Sequence, residues 1–572
     1  MALHDFDYIF AFGLLFAFLD AWNIGANDVA NSFATSVSSR SLIMMQAMAI
    51  ATVCKIGGAV LAGSRVTDTV RNKIIDVDDF ASNPSVLMLG MLCALIGPSL
   101  WLTLATKISL PVSTTHSIVG GIIGVGVAAI GGGGIHWGWD GVSQVLAAWF
   151  IAPGMSAGFA MIIFGITKYG VLERSRPLHN GLLMIPAYFS VTSAILPMVI
   201  VWKGAASLDL DDWSAGQILG CVFGIAVGVV ALYTIFLLPF LYRRVVKEDW
   251  TLKDWEVIKG PLLWKRGLVP PVPEGHAEQI VQDYYRGHGG SLHLDPVLSP
   301  NLPASPESGS DIESNEKKVS VTPEPTLTRQ AKSKLEATAE PLLTWRGIYL
   351  REKYYFLRGV DRDVVSEQIG ANGKPHGFAA SFLARDLTKV HQPAKHYDNK
   401  TEHLYSFLQV MTASTTSFAH GANAVGPLSA IYLIWRSGET SSESPVPIWV
   451  LAYSGIAISI DLWTCGYNLM INLGNRLTLH SPSQGFSMEL GAATTVTLAT
   501  RLGLPISTTQ CISGATVGVG LCSGTLKAIN WRMIAWIYFG WLVTLPVAGL
   551  ISGGMIGIII NAPRWGLPTP SA

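Results

Sequence analysis

Apolar runs of about twenty residues recur along most of this chain, and they constrain its fold more than any other feature. Half of the residues (50%) are hydrophobic and only 14% are charged. A helix needs about 20 mostly apolar residues to cross a bilayer, and several of these runs are short or rich in glycine, so we expect about twelve transmembrane helices with one or two re-entrant. The candidate spans lie near residues 8–22, 42–63, 86–106, 117–133, 144–166, 182–202, 216–241, 404–420, 424–436, 447–472, 486–500, 507–525 and 533–560.

The interval between the two groups of spans has a different chemistry. It opens with a basic cluster from Arg243 to Arg266, and basic residues beside a span favour the cytoplasmic side of a membrane. Its middle, Gly289 to Pro341, is rich in Ser, Pro, Glu and Thr and poor in aromatics, which predicts disorder. We therefore divide the chain into an N-terminal membrane repeat (1–242), a partly disordered cytosolic loop (243–403), a C-terminal membrane repeat (404–562) and a short tail (563–572). An odd number of spans before the loop places the N-terminus outside.

The chain contains an internal duplication. The segment TLATKISLPVSTTHSIVGGIIGVGVA (103–128) returns as TLATRLGLPISTTQCISGATVGVGLC (497–522), and GANDVAN (25–31) has a shorter counterpart in GANAVGP (421–427). About seven spans separate equivalent elements, and an odd number inverts the second copy relative to the first. The sequence thus predicts an all-α membrane protein of two inverted repeats with broken or re-entrant helices, and a site between them at mid-membrane.

The first span carries a polar face. Spacings of 3, 4 and 4 residues place four polar side chains on one side of a helix, those of Asp20, Asn23, Asn27 and Asn31. Polar groups at membrane depth mark an ion or substrate path, and oxygen ligands suit a hard cation. We assign Asp28, together with Asn27 and Asn31, to a cation site. The alternative is that the amides only bond to neighbouring helices.

The duplicated segment predicts a break in a helix followed by a new helix N-terminus. Pro111 and Pro505 interrupt each copy, and Ser or Thr residues then cap the helix that follows. A helix N-terminus offers free N–H donors and the positive end of a dipole, so two of them converging would bind a tetrahedral oxyanion. The candidate oxyanion ligands are Ser113, Thr114, Thr115, Ser507, Thr508 and Thr509. The alternative is that these hydroxyls only satisfy backbone groups at a kink.

The spans contain further polar residues. Glu489 and Asp461 are carboxylates within second-half spans and are site candidates of lower rank. His116, replaced by Gln510 in the second copy, is expected to serve helix packing.

Other functional classes find little support. Lysines plus arginines and aspartates plus glutamates number 39 each, which gives no signal for a nucleic-acid partner. The six cysteines lack Cys-x-x-Cys spacing, and no nucleophile–base set or nucleotide motif indicates an enzyme or a cofactor.

Several motifs together resemble the inorganic phosphate transporter (PiT) family, in wording similar to its fungal sodium–phosphate symporters. They are GANDVANSFATSVSSRSL and LPVSTTHSIVGG in the first half, and SFAHGAN, GFSMELGAA and LPISTTQCISGATVG in the second. The resemblance implies twelve spans in inverted repeats, extracellular termini, a cytosolic loop, and cotransport of phosphate with sodium or protons across the plasma membrane. By this resemblance, the phosphate-binding residues would be Ser113, Thr114, Thr115, Ser507, Thr508 and Thr509. The cation-binding residues would be Asn27, Asp28, Asn31, Asn423 and Glu489, with Asp28 as the sodium ligand.

The chain departs from this family at two places. After Asn423 the second signature lacks four residues, including its Asp, and Lys55 stands where the family commonly has a glutamate. Our hypothesis is that coupling stoichiometry is altered, or that transport is lost and Lys55 supplies part of the missing positive charge. The alternatives are a transport-impaired phosphate sensor or receptor and a transporter of another oxyanion such as sulfate or arsenate. A second copy of the chain and kinases acting on the loop are candidate partners.

Overall fold

The secondary structure is almost entirely helical. In this computed structural model the described residues are 4–62, 74–108, 110–139, 141–203, 213–271, 280–286, 288, 341, 344–357, 359–360, 364–365, 390–421, 426–438, 440, 447–502 and 504–562. Within these ranges, strand pairing is limited to one isolated antiparallel bridge between Ile75 and Ile135. The prediction of an all-α protein is confirmed for this part of the chain.

The helices fall into two groups separated by the central segment. The first group is α1 (Asp7–Ser38), α2 (Met44–Ala62), α3 (Pro84–Lys107), α4 (Thr114–Ile130), α5 (Val142–Thr167), α6 (Pro177–Lys203) and α7 (Ala215–Leu232), which continues as a helix to Val246. The central segment contains a 3-10 helical run (Asp254–Lys265) and α8 (Trp345–Leu357). The second group is α9 (Asn399–Gly421), α10 (Gly426–Ser437), α11 (Ile448–Thr464), α12 (Gly466–Asn475), α13 (Pro482–Arg501), α14 (Thr508–Leu521) and α15 (Trp531–Asn561).

Several helices have the length and composition of membrane spans. Among the described residues, seven helical stretches are long and apolar enough to cross a bilayer: His4–Ser38, Met44–Leu61, Pro84–Lys107, Val142–Leu172, Pro177–Val201, Ala215–Val246 and Trp531–Asn561. Thr114–Ile130 and Ile448–Thr464 are apolar but shorter. The first predicted span (8–22) is too short, because α1 continues to Ser38 through a polar stretch that is buried among other helices rather than exposed to lipid.

Helix packing follows the same scheme in both halves. In the first half α1 packs against α3 and α11, and α4 packs against α3 and α15. In the second half α9 packs against α13 and α2, and α14 packs against α13 and α5. Contacts between α1 and α9 and between α2 and α11 join the halves directly. Each half therefore completes its packing with helices from the other.

Close helix contacts at glycine illustrate this exchange. A Cβ atom added at Gly124 of α4 would lie 2.0 Å from the carbonyl oxygen of Gly549 in α15. A Cβ atom at Gly518 of α14 would likewise lie 2.6 Å from the carbonyl oxygen of Ala157 in α5. Small residues allow backbones to approach this closely, which is how helices pack tightly in a membrane.

Replacing Gly124 with alanine is expected to lower thermal stability, because the new methyl group must push α4 and α15 apart. Overpacking of this kind costs about 1–3 kcal/mol. Gly154→Ala in α5 is the matched control, since a Cβ atom there meets nothing within 4 Å. The measurement is the melting temperature of purified protein in detergent. Equal melting temperatures for the two variants would contradict the close contact.

Parts of the central segment pack against the ends of α1 and α9. Tyr284 is buried with its hydroxyl 2.7 Å from His403 Nδ1, and the Tyr285 hydroxyl donates to Glu402 Oε1 at 3.2 Å. His288 Nε2 lies 3.1 Å from the carbonyl oxygen of Ser38, the last residue of α1. The predicted disorder between Gly289 and Pro341 lies, apart from Pro341 itself, outside the described residues.

A buried group of histidines lies at the same end of α1. The rings of His288 and His391 have centroids 5.5 Å apart, and His480 Nδ1 lies 2.8 Å from Ser38 Oγ. Burial, together with the nearby His391, holds the pKa of His288 well below its usual value and lowers the pKa of His480 to about 3. The imidazoles of His288 and His480 are therefore neutral in the folded protein at physiological pH.

Folding stability is expected to fall as the pH drops below about 6.5, the pKa of an unperturbed histidine. The folded pKa values are depressed, so below that pH the unfolded chain binds protons that the folded chain does not, and unfolding is favoured. The test is the melting temperature in detergent between pH 7.5 and 5.5. His480→Gln should reduce the slope, and a parent protein with a flat profile would contradict the interpretation.

Candidate functional site

Two residues of the polar face, Asp20 and Asn23 near the middle of α1, contact the neighbouring helix α3. Asn23 Nδ2 donates to the carbonyl oxygen of Ser99 at 3.1 Å, and Asn23 Oδ1 accepts from Thr103 Oγ1 at 3.1 Å. Ser99 Oγ lies 3.5 Å from Asp20 Oδ1. Asp20 and Asn23 therefore tie α1 to α3, as the alternative reading of this face predicts.

The first serine–threonine motif forms a helix break and a new N-terminus. Helix α3 ends at Lys107 and α4 begins at Thr114, with Pro111 in the nonhelical connection. Ser113 is the N-cap residue, and its hydroxyl accepts from the backbone N–H of His116 at 3.1 Å. The predicted break and cap are confirmed for this copy.

The second motif repeats the break but not the capping bond. Helix α13 ends at Arg501 and α14 begins at Thr508. Ser507 has the extended backbone of an N-cap residue (φ −96°, ψ 130°), but its side chain makes no capping hydrogen bond. The prediction of a capped N-terminus therefore holds for the backbone of this copy and is wrong for the serine hydroxyl.

The amides of α1 bring the two motifs together. Asn27 Oδ1 accepts from the backbone N–H of Val112 at 3.3 Å, directly before the first motif. Asn31 Nδ2 donates to Thr509 Oγ1 at 2.9 Å in the second motif. The motifs also touch each other, since Thr509 Oγ1 donates to the carbonyl oxygen of Val112 at 3.2 Å. The positive ends of α4 and α14 thus meet beside α1.

Several buried polar atoms at this junction have no hydrogen-bond partner within the described part of the chain. They are Asn27 Nδ2, Asn31 Oδ1, and both amide atoms of Gln510 in the first turn of α14. Leaving a buried polar group unsatisfied costs about 1–3 kcal/mol. The junction therefore favours a polar ligand. Residue patterns alone assign no binding role to Gln510, and the one signal for it is the polar residue that replaces His116 at this position of the second copy.

Asp28 is paired with a cation from the protein itself. Lys55 Nζ of α2 lies 2.8 Å from Asp28 Oδ2, and both side chains are buried. A buried ammonium is stable only beside a compensating charge. The residue predicted as the sodium ligand therefore forms an ion pair with the lysine that departs from the family pattern.

Glu489 of α13 lies where both halves meet. Its Oε1 accepts from Thr35 Oγ1 at 2.6 Å and from Ser36 Oγ at 2.7 Å, both in α1. From α9, Gln409 Nε2 donates to Oε1 at 3.2 Å and Thr412 Oγ1 donates to Oε2 at 2.6 Å. A carboxylate surrounded by hydroxyl oxygens is suited to a hard cation, because those oxygens can turn their lone pairs toward it.

The remaining candidates lie close to the same region. Asp461 Oδ2 of α11 accepts from the backbone N–H of Ala26 at 2.5 Å, one residue before Asn27. Asn423 lies outside the described residues. Just before it, a Cβ atom at Gly421 would lie 2.4 Å from the carbonyl oxygen of Lys55, so the shortened second signature begins beside α2.

Known proteins resemble this chain over nearly all of its length. A profile of the phosphate transporter family matches residues 24–552. The phosphate-repressible phosphate permease pho-4 of Neurospora crassa is 47% identical, covering 99% of this chain and 100% of that protein. The human sodium-dependent phosphate transporter 2 is 29% identical over 98% of this chain and 99% of its own length.

A solved structure, titled as the sodium-dependent phosphate transporter, shares the fold. It superposes with a TM-score of 0.65 at 22% identity and covers 97% of this chain and 100% of its own. By sequence, this chain belongs to the phosphate transporter family and is a multi-pass membrane protein.

Proposed function

We propose that this chain transports inorganic phosphate across a membrane with sodium as the coupling ion. The observation that carries the proposal is the junction of the two serine–threonine motifs, where Asn27, Asn31 and Gln510 hold buried polar atoms without partners among the described residues. The names of the relatives, a phosphate permease and sodium-dependent phosphate transporters, support the same substrate and coupling ion.

Phosphate would bind between the N-termini of α4 and α14. Backbone N–H groups and both helix dipoles favour an anion there, and hydroxyl and amide donors would replace its water shell. The assigned ligands are Ser113, Thr114, Thr115, Ser507, Thr508 and Thr509. Ser507 supports this role, because its hydroxyl is not engaged in capping.

Sodium would bind on the carboxylate side of the site. The assigned residues are Asn27, Asp28, Asn31, Asn423 and Glu489. Glu489 has the strongest support, since hydroxyl oxygens from α1 and α9 surround its carboxylate. A cation at this position would offset the charge of phosphate and stabilise contact between the halves. Because sodium would both neutralise charge and hold the halves together, its binding would favour the conformation that binds phosphate.

The architecture would be that of an inverted-repeat transporter with about twelve membrane helices, in which rocking of one repeat against the other exposes a fixed site alternately to each side. The matched packing of α1 with α11 and of α9 with α2 supports two repeats, at 1–242 and 404–562. The loop at 243–403 would be cytosolic and the termini extracellular in the plasma membrane. A homodimer and kinases acting on the loop stay predictions.

Reconstitution tests the proposal. Purified protein in proteoliposomes is expected to accumulate labelled phosphate above equilibrium under an inward sodium gradient and not under a potassium gradient. Unlabelled phosphate should compete better than sulfate or arsenate. Stronger competition by sulfate or arsenate would indicate a different oxyanion. Phosphate binding without sodium-driven uptake would contradict transport and favour the sensor.

A further inference from the structure

Lys55 is a basic residue buried inside an otherwise uncharged helix of the membrane region. It is fully buried in α2, and the helix sequence contains no other Asp, Glu, Lys or Arg. Its ammonium makes a direct contact of 2.8 Å with Asp28 Oδ2. A long basic side chain near the end of a membrane helix can reach water, but this one is held inside the protein by a carboxylate.

The ion pair lies on the stretch of α1 that also contacts both serine–threonine motifs. Asp28 stands directly after Asn27, which contacts the first serine–threonine motif, and three residues before Asn31, which contacts the second. The lysine charge therefore lies where a coupling cation would neutralise Asp28. An ammonium is a compact point charge with three donors, so it can substitute electrostatically for a monovalent ion at a carboxylate.

The number of carboxylates in the site also favours Lys55 as the partner of Asp28 in place of a bound cation. The second signature, shortened after Asn423, supplies no aspartate. Asp28 and Glu489 are the family-assigned carboxylates that this chain keeps, and Lys55 offsets one of them. Uncompensated charge inside a membrane is costly, so the loaded site should carry little net charge while it changes from one side of the membrane to the other. With fewer fixed negative charges in the protein, fewer bound cations are needed to reach that balance.

We propose that the Lys55 ammonium is a tethered counter-cation that permanently occupies the cation position at Asp28, so that this position takes no sodium. The inference rests on the proposed function of sodium-coupled phosphate transport. Asp28 is then removed from the sodium ligands assigned above, and Glu489 provides the position at which sodium still acts. The chain would move one sodium ion fewer per phosphate than a variant in which Asp28 is free to bind sodium.

The direct test is the ratio of labelled sodium to labelled phosphate taken up by proteoliposomes. Lys55→Met removes the ammonium with little change in side-chain length, and it is expected to raise the ratio by one sodium per phosphate. Lys55→Arg keeps the positive charge and is expected to keep the parent ratio. Transport by Lys55→Met at the parent ratio would overturn the proposal.

A binding measurement covers the case in which Lys55→Met folds but does not transport. Sodium should raise the melting temperature of Lys55→Met more than that of the parent, and the double variant Lys55→Met with Asp28→Asn should lose this gain. An equal sodium effect in parent and Lys55→Met would overturn the proposal. Phosphate should also raise the melting temperature of the parent. If it does not, phosphate binding and the proposed function are contradicted, while the comparison of sodium effects still tests the role of Lys55.

Discussion

Replacing Glu489 with glutamine is expected to reduce sodium-driven phosphate uptake about 5- to 150-fold, since losing a charged acceptor and leaving its donors unsatisfied costs roughly 1–3 kcal/mol. Hydroxyl donors from Thr35, Ser36 and Thr412 point at this carboxylate. A glutamine amide would present an NH₂ group to some of them and remove the negative charge that attracts sodium. The measurements are the initial rate of uptake and the sodium concentration that gives half of the maximal rate.

Glu402→Gln is the matched control for this variant. Glu402 is equally buried at the start of α9, and it accepts from the backbone N–H and hydroxyl of Ser483 at 2.8 Å each. It lies among central-segment contacts and not beside the serine–threonine motifs. This variant should lose stability without a change in the half-maximal sodium concentration. A similar sodium shift in both variants would show that Glu489 acts only through stability.

Replacing Thr509 with valine is expected to raise the KM for phosphate about 5- to 150-fold, because it removes a second-half hydroxyl that hydrogen-bonds to two residues of the first half, at a cost of about 1–3 kcal/mol. Thr509 Oγ1 joins Asn31 Nδ2 to the carbonyl oxygen of Val112. Valine keeps the shape of the side chain but removes both hydrogen bonds, and Asn31 Nδ2 then retains only its longer contact of 3.4 Å with Thr508 Oγ1. The measurement is phosphate uptake as a function of phosphate concentration at saturating sodium.

Thr516→Val in the same helix separates this effect from a general loss of threonine. The Thr516 hydroxyl is buried and donates to the carbonyl oxygen of Ile512, one turn earlier in α14, at 2.8 Å. Its KM for phosphate should match that of the parent. If Thr516→Val raised the KM as much as Thr509→Val, the contact between the halves would have no special role in binding.

Local features of this structure could be predicted from the sequence because they depend on neighbouring residues. Pro111 followed by Ser113 predicts a helix end and a new N-cap, and both are present. The duplication predicts that α14 begins in the same way, which it does at Thr508. Hydropathy predicts a first span at 8–22, which is shorter than α1. A hydropathy scan finds only apolar stretches, and the polar part of α1 is buried against other helices of the protein.

Contacts between distant segments could not be predicted in the same way. The pairing of Lys55 with Asp28 depends on how α2 packs beside α1, and the contacts of Glu489 depend on three helices from both halves. No periodicity in the sequence encodes these distances. Gln510 was missed for a related reason, since a buried amide without a partner is visible only once its surroundings are known.

The central claim is that both repeats build one phosphate site. An experimental cryo-electron microscopy map of the full chain in lipid nanodiscs, with saturating sodium and phosphate, tests it most directly. The account predicts one phosphate density that contacts Asn27 Nδ2 and the N-termini of both α4 and α14. Phosphate bound to only one of these N-termini, or a separate phosphate at each, would contradict it.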